Sequence, residues 1–301
     1  AFRPEALWVL AEMGAVTVGR RLRQRLGVPL HATVHDAYEF ARLALPRRYE
    51  PLYRRSARRL LAECASLDAV SAELIARLRE FCPPLKGRPA LVFPSSARRA
   101  EIRSAPPPAD GGPQALRRLA LCGSLRIDEW QWREFLAVLA GQPWPFEILA
   151  WTDRGAFFST PAPANVRLRF QPYAASEADV IRELAGAGVW ACYLGVSRAP
   201  QDAAFSRYSL SSKLTAYAAA GLPTIVDAPA ASAVWRLVGR YEAGALFDGS
   251  AAAAAGLRRL LADPGARERL GAGALRLCRA ELELETNLER WTEALSREAA
   301  R

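Results

Sequence analysis

Histidine and lysine are nearly absent from this 301-residue chain. His31 and His35 are the two histidines, and 39 of the 41 basic residues are arginine. Two histidines exclude a histidine-rich metal centre. The five cysteines, Cys64, Cys82, Cys122, Cys192 and Cys278, are odd in number and widely spaced, with no Cys-x-x-Cys pair. Neither a disulfide framework nor a zinc site is indicated. No apolar run approaches the roughly 18–20 residues that span a bilayer. The start of the chain lacks the basic, apolar and small-residue succession of a secretion signal. The expectation is a cytoplasmic protein. Also missing are a Ser-His-Asp order, a Gly-x-x-x-x-Gly-Lys loop and a Gly-x-Gly-x-x-Gly fingerprint, which weighs against hydrolase, nucleotidase and dinucleotide-oxidoreductase chemistry.

What is present is an ordinary composition, 51% apolar and 24% charged, with a net charge of +10. The charge is uneven. Residues 1–105 hold 19 Lys/Arg against 10 Asp/Glu, and the remainder hold 22 against 21. A basic face suits anionic lipid, an acidic substrate or nucleic acid; an Arg- and Ala-rich genome would also give many arginines. The excess gathers at 47–59 (RRYEPLYRRSARR), where Tyr49 and Tyr53 lie among the arginines. This segment reads as a basic helix able to meet anionic lipid or a lipid-diphosphate acceptor at the inner face of a membrane. A solvated helical face is the plainer alternative. Without an RNA- or DNA-binding motif, nucleic acid is the weakest partner.

Residues 94–115 (PSSARRAEIRSAPPPADGGPQA) break any helix or central strand and read as a linker, centred on 106–115. Before it, the pattern predicts strands at 6–10, 28–34, 67–70 and 89–94, with helices at 14–26, 50–64 and 72–81. After it, strands are expected at 119–122, 146–151, 166–170, 189–195 and 223–226. Helices are expected at 129–140, 177–185, 212–220, 231–239, 250–262, 265–280 and 286–299. Apolar strands alternating with amphipathic helices mean α/β architecture, parallel sheet with helices on both faces. Such sheets take ligands at the carboxyl ends of their strands.

The most informative stretch runs from Ser209 to Pro223 (SLSSKLTAYAAAGLP). Ser211 or Ser212 is a candidate N-cap, and Gly221 suits a left-handed helix end. Lys213 in the first turn opposes the helix dipole, so it gains if an anion bridges it and the free N–H groups. A solvated lysine on a core helix is the alternative. His35-Asp36, ending a strand, could supply a general base or bind a sugar hydroxyl; a structural histidine with an Asx turn is equally open. His31 reads as structural.

Lys213, Leu214, Thr215, Ala216, Tyr217, Ala218, Ala219, Ala220, Gly221, Leu222 and Pro223 resemble the Lys-x-x-Glu-Tyr-x-Ala-x-Gly-x-Pro signature of GT-B glycosyltransferases of the family-four-like clan. The likeness continues through Thr224-Ile225-Val226, Gly244-Ala245-Leu246-Phe247 and Leu260-Leu261-Ala262-Asp263-Pro264. Upstream it touches Leu119–Leu125, and before the linker Thr33-Val34-His35-Asp36 and Ala69–Leu74. The resemblance implies two Rossmann-like domains. These would be an acceptor-side domain at 1–105 lacking its first strands, a linker at 106–115, and a nucleotide-sugar-binding domain at 116–301 whose last helix packs back on the first. It also implies a metal-independent enzyme with no cofactor, using a UDP- or GDP-type sugar and a glycan, lipid-linked or small-molecule acceptor. Gly123 and Ser124 would lie against the donor diphosphate, with Arg126 adding charge. Pro172 and Tyr173 would sit near the nucleobase, Ser211, Ser212 and Lys213 would hold phosphates, and His35 and Asp36 would face the transferred sugar. Two glutamates common in the family, eight positions apart, are replaced here by Tyr208 and Ala216. That departure leaves room for a non-catalytic or partner-dependent protein, or a sugar-nucleotide epimerase of the same fold. Retention or inversion is not specified.

Overall fold

The computed structural model describes residues 4–36, 47–108, 116–123, 127–152, 160–172, 174–263 and 265–299. They form two compact units. The first comprises Ala1–Pro94, Arg207–Leu210 and Glu285–Arg301, and the second Ser95–Ser206 and Ser211–Leu284.

In the first unit, strands β1 (Leu7–Leu10), β2 (Leu30–Val34), β3 (Ser66–Ala69) and β4 (Ala90–Val92) pair in that order, all parallel. They alternate with helices α1 (Met13–Leu26), α2 (Glu50–Glu63) and α3 (Ala72–Phe81). Helix α1 stops at Gly27, whose φ of 67° is open to a residue without Cβ. Ser71 caps α3 by accepting the Leu74 N–H. Helix α2 turns Ala57, Leu60 and Leu61 inward and leaves its arginines in solvent. Leu30, Ala32, Leu67, Leu74 and Leu78 complete that core.

Alternation along β2 and β3 sends the other set of side chains to the opposite sheet face, and this set is polar. The register pairs His31 with Ser66 and Thr33 with Asp68. His31 Nδ1 lies 2.8 Å from Ser66 Oγ, and Nε2 lies 2.6 Å from Asp68 Oδ2. Thr33 donates to the same carboxylate at 2.9 Å. The last helix, α11 (Leu284–Ala299), brings the Trp291 indole N–H to 3.2 Å from Asp68 Oδ2. His31 is therefore a buried structural residue, as its position inside a strand suggests.

In the second unit, six parallel strands lie in the order β10-β9-β8-β5-β6-β7. They are β5 (Arg117–Cys122), β6 (Phe146–Trp151), β7 (Val166–Phe170), β8 (Val189–Gly195), β9 (Thr224–Asp227) and β10 (Gly244–Phe247). Numbered within the unit, the order reads 3-2-1-4-5-6 from the β7 edge, that of a doubly wound nucleotide-binding sheet. Helices α4 (Glu129–Ala140), α5 (Glu177–Gly186), α7 (Lys213–Ala219) and α8 (Ala233–Arg240) connect the strands. Helices α9 (Ala251–Ala262) and α10 (Ala266–Leu277) follow. Trp132, Phe135, Phe146, Ile148, Tyr193 and Phe247 fill the core, with the Phe135 and Tyr193 rings 4.3 Å apart.

Three local differences from the sequence pattern have physical causes. A short helix α6 (Ala203–Tyr208) stands between β8 and α7, too brief for periodicity to announce it. The helix expected at 265–280 ends at Leu277 and passes into a π turn, Cys278–Leu282. Of the 106–115 stretch, Pro107 is buried and its carbonyl accepts from Arg267 Nη1 at 2.7 Å. Residues 109–115 lie outside the described residues.

Candidate functional site

Connections from β5 run outward to β6 and β7 on one side and, after β8, to β9 and β10 on the other. The sheet thus reverses its winding between β5 and β8, and their carboxyl ends open a crevice there. Gly123 closes β5 with φ of 62°, its N–H donated to the Trp151 carbonyl at 2.8 Å. A Cβ on Gly123 would stand 3.1 Å from Lys213 Cε. The lysine stem therefore lies across the end of β5, where only a glycine leaves room. Burial pushes the Cys122 thiol up to about 12, against the opposing Tyr217 hydrogen bond and Lys213 charge.

Tyr217 fixes that placement. One turn beyond Lys213, its hydroxyl accepts the Cys122 N–H at 2.9 Å and donates to the Tyr193 carbonyl at 3.3 Å. One side chain thus ties α7 to both strands flanking the crevice. Thr215 Oγ1 donates to the Ser95 carbonyl at 2.7 Å on the far side. Leu214 to Ala219 are all buried, so α7 cannot shift without disturbing the core. Gly221 (φ 68°) reverses the chain into β9. We expect Tyr217→Phe to lower stability by about 1–3 kcal/mol, because it strands a buried backbone N–H. Urea unfolding checks this; a loss below about 0.5 kcal/mol would show that the bond carries no weight.

The serine cap is corrected. The helix begins at Lys213, and Ser212 is itself helical (φ −58°, ψ −25°) with no side-chain cap bond. The Ser211 and Ser212 carbonyls instead accept the Leu214 and Thr215 N–H groups at 3.1 Å each. A tight 3₁₀-like start replaces the cap. Ser212 is exposed and Ser211 half-buried. Pro172 is exposed two residues beyond β7. Ser124, Arg126 and Tyr173 lie outside the described residues. The structure thus brings Gly123 and Lys213 together.

His35 and Asp36 belong to the first unit, just beyond the carboxyl end of β2. The half-exposed His35 ring has Nδ1 3.7 Å from Glu12 Oε1. Asp36 Oδ1 accepts from Ser209 Oγ at 3.1 Å.

A buried polar cluster beside the crevice escaped the sequence reading. Asp227, ending β9, is fully buried. It accepts from the Tyr193 hydroxyl at 2.7 Å and lies 3.0 Å from Arg198 Nε. Arg198 continues to Glu134 Oε2 at 2.5 Å and stacks over Trp130 at 4.7 Å. Gln131, also buried, donates to the Val196 carbonyl at 3.1 Å and accepts the Arg198 N–H at 2.9 Å. The cluster holds the Val196–Arg198 turn at the carboxyl end of β8. An acidic residue ending the apolar run Thr224-Ile225-Val226 was the available signal.

Burial raises the Asp227 carboxyl to about 6, against Arg198, Tyr193 and Gln131, which favour its charged form. A folded-state value above the unfolded one means the native protein holds this proton more tightly. Its stabilising contribution is full below the model value of 3.8 and is lost as pH rises through about 6. We expect Asp227→Asn to flatten this component of the stability profile between pH 4 and 6.5. Unfolding midpoints across that range check it, and a profile identical to wild type would remove Asp227 as its source.

No family model matches the chain, and no curated protein matches it. Solved structures do match in fold. Sucrose-phosphate synthase from Thermosynechococcus elongatus superposes with a TM-score of 0.64 at 17% identity, covering 95% of this chain and 72% of that one. HepE from Anabaena, solved in complex with UDP-glucose, gives 0.67 at 13% identity, covering 97% and 79%. An α,α-trehalose-phosphate synthase (UDP-forming) from Burkholderia vietnamiensis gives 0.63 at 14%, covering 98% and 75%. The six-stranded doubly wound sheet, the parallel sheet of the first unit and these neighbours agree, and the chain has the fold of the GT-B glycosyltransferases.

Proposed function

We propose that the chain is a glycosyltransferase taking its sugar from a nucleotide-diphosphate donor. One observation carries the reading: Lys213 lies across Gly123 at the point where the second sheet reverses its winding. Transfer leaves a nucleoside diphosphate behind, and its developing negative charge needs a positioned cation and backbone N–H donors. In this reading Lys213 supplies the charge, and the Gly123-Ser124 turn with Arg126 meets the diphosphate. Ser211 and Ser212 add hydroxyls, and Pro172 and Tyr173 border a uracil- or guanine-type base. No bound metal is required, because Lys213 and the N–H groups do that work. His35 and Asp36 are assigned to the transferred sugar or acceptor hydroxyl. The UDP and UDP-glucose complexes of HepE support a donor of this class. The acceptor is a glycan or lipid-linked molecule, and segment 47–59 is the face assigned to an anionic membrane. The protein would work in the cytoplasm, at the inner membrane face.

The replacement of two family glutamates by Tyr208 and Ala216 favours one rival, a donor-binding protein that does not transfer sugar. Incubation with UDP- and GDP-sugars separates them. Nucleoside diphosphate release, with sugar passed to water or acceptor, supports transfer. Binding without release supports the rival, and a changed sugar still attached to nucleotide indicates epimerisation.

A further inference from the structure

The first unit carries a basic groove far from the crevice. It has a volume of about 420 Å³ and is lined by Arg54, Arg55, Arg58, Arg59, Ala62 and Phe81. Helix α2 presents the four arginines as two consecutive pairs one turn apart, all exposed. Phe81, ending α3, forms the apolar wall. The Cys82 Sγ–H donates to the Arg58 carbonyl at 3.5 Å and holds the two helix ends together. No carboxylate lines the groove among the described residues. Segment 47–59 as a whole carries six arginines against Glu50.

Topology locates the groove. Helix α2 runs into β3 and α3 into β4, so their last turns lie at the amino ends of the strands. Substrates of parallel sheets bind at the opposite, carboxyl ends. A phosphate held here is too remote for the chemistry, and a docking role fits better. Leu52 lies three and seven residues before Arg55 and Arg59, on the same helical side, and is 61% exposed. An exposed leucine beside paired arginines is how interfacial helices place an apolar side chain among headgroups while cations meet the phosphates.

We propose that this groove docks the protein on an anionic lipid bilayer, with Arg54, Arg55, Arg58 and Arg59 taking headgroup phosphates and Leu52 and Phe81 facing the acyl boundary. The proposal rests on the membrane contact assigned to segment 47–59 and moves it to the later turns of the helix. It does not depend on sugar transfer. An RNA or DNA duplex would also meet arginines, but gains nothing from an exposed leucine.

Vesicle co-sedimentation tests it, with phosphatidylcholine vesicles alone or containing phosphatidylglycerol. Wild type should bind the anionic vesicles, weaken as salt rises, and leave the neutral ones. Each arginine near such a surface contributes about 1 kcal/mol, so the double variant Arg55→Gln/Arg59→Gln should bind about 30-fold more weakly. Its nucleotide titration and unfolding midpoint should match wild type, which separates this proposal from the donor-site reading. Equal vesicle binding by wild type and the double variant would overturn the groove. If Arg48→Gln alone then abolished binding, the contact would lie in the first turn of the segment instead. Wild type that ignores vesicles but binds inorganic pyrophosphate or a DNA duplex, each lost in the double variant, would overturn the lipid assignment.

Discussion

Replacing Lys213 by alanine weakens nucleoside diphosphate binding at least tenfold, a loss of about 1.4 kcal/mol. The expectation follows from where the ammonium sits. Its stem is pressed against Gly123 at the end of β5, and Tyr217 locks the helix that carries it. Hydrogen bonds from charged groups contribute about 1.5–3 kcal/mol, so tenfold is the lower bound. The same substitution should leave folding almost untouched. A cation in a first helical turn opposes the dipole, and removing it gains up to about 1 kcal/mol when no anion is bound. Opposite signs for binding and stability distinguish a ligand contact from a structural one. Calorimetric titration and urea unfolding of the same variant read both. A variant that unfolds earlier yet binds nucleotide normally would contradict the role given to Lys213.

Arg198→Ala should destabilise the second unit by about 3–5 kcal/mol, the range for removing one partner of a buried ion pair. Asp227 is fully buried and Arg198 is one-tenth exposed, so water does not replace the lost guanidinium. Loss of the cation also removes the stacking on Trp130 and the bond to the Asp248 carbonyl. Asp227 would then hold its proton to higher pH than the wild-type value of about 6, and the fall of stability with pH would shift upward. Adding Asp227→Asn should recover part of the loss, because no buried charge is left without a partner. Urea midpoints for the two single variants and the double variant give the coupling energy. Additive effects would show that the two groups do not interact.

The regular elements were legible because their periodicity was strong. Helices 72–81 and 129–140 and strands 146–151, 166–170 and 189–195 match the structure residue for residue. The word from Lys213 to Pro223 gave the helix, its left-handed glycine and the strand that follows. What the pattern could not give was long-range pairing. Ser66 and Asp68 look like ordinary strand residues until the register sets them beside His31 and Thr33. Gln131, Arg198 and Asp227 meet only after folding joins α4, the turn after β8 and the end of β9. Ser211 and Ser212 misled because serine favours N-caps in general, whereas here burial of α7 sets its start.

Titration of the wild-type chain with UDP, GDP, TDP and CMP decides whether the crevice beside β5 and β8 is a donor site. One nucleoside diphosphate should bind with a Kd of micromolar order, about −8 kcal/mol. CMP, with one phosphate fewer, should bind far more weakly. A well-folded chain that binds none of the four would contradict the donor site, and with it the assignment of sugar transfer.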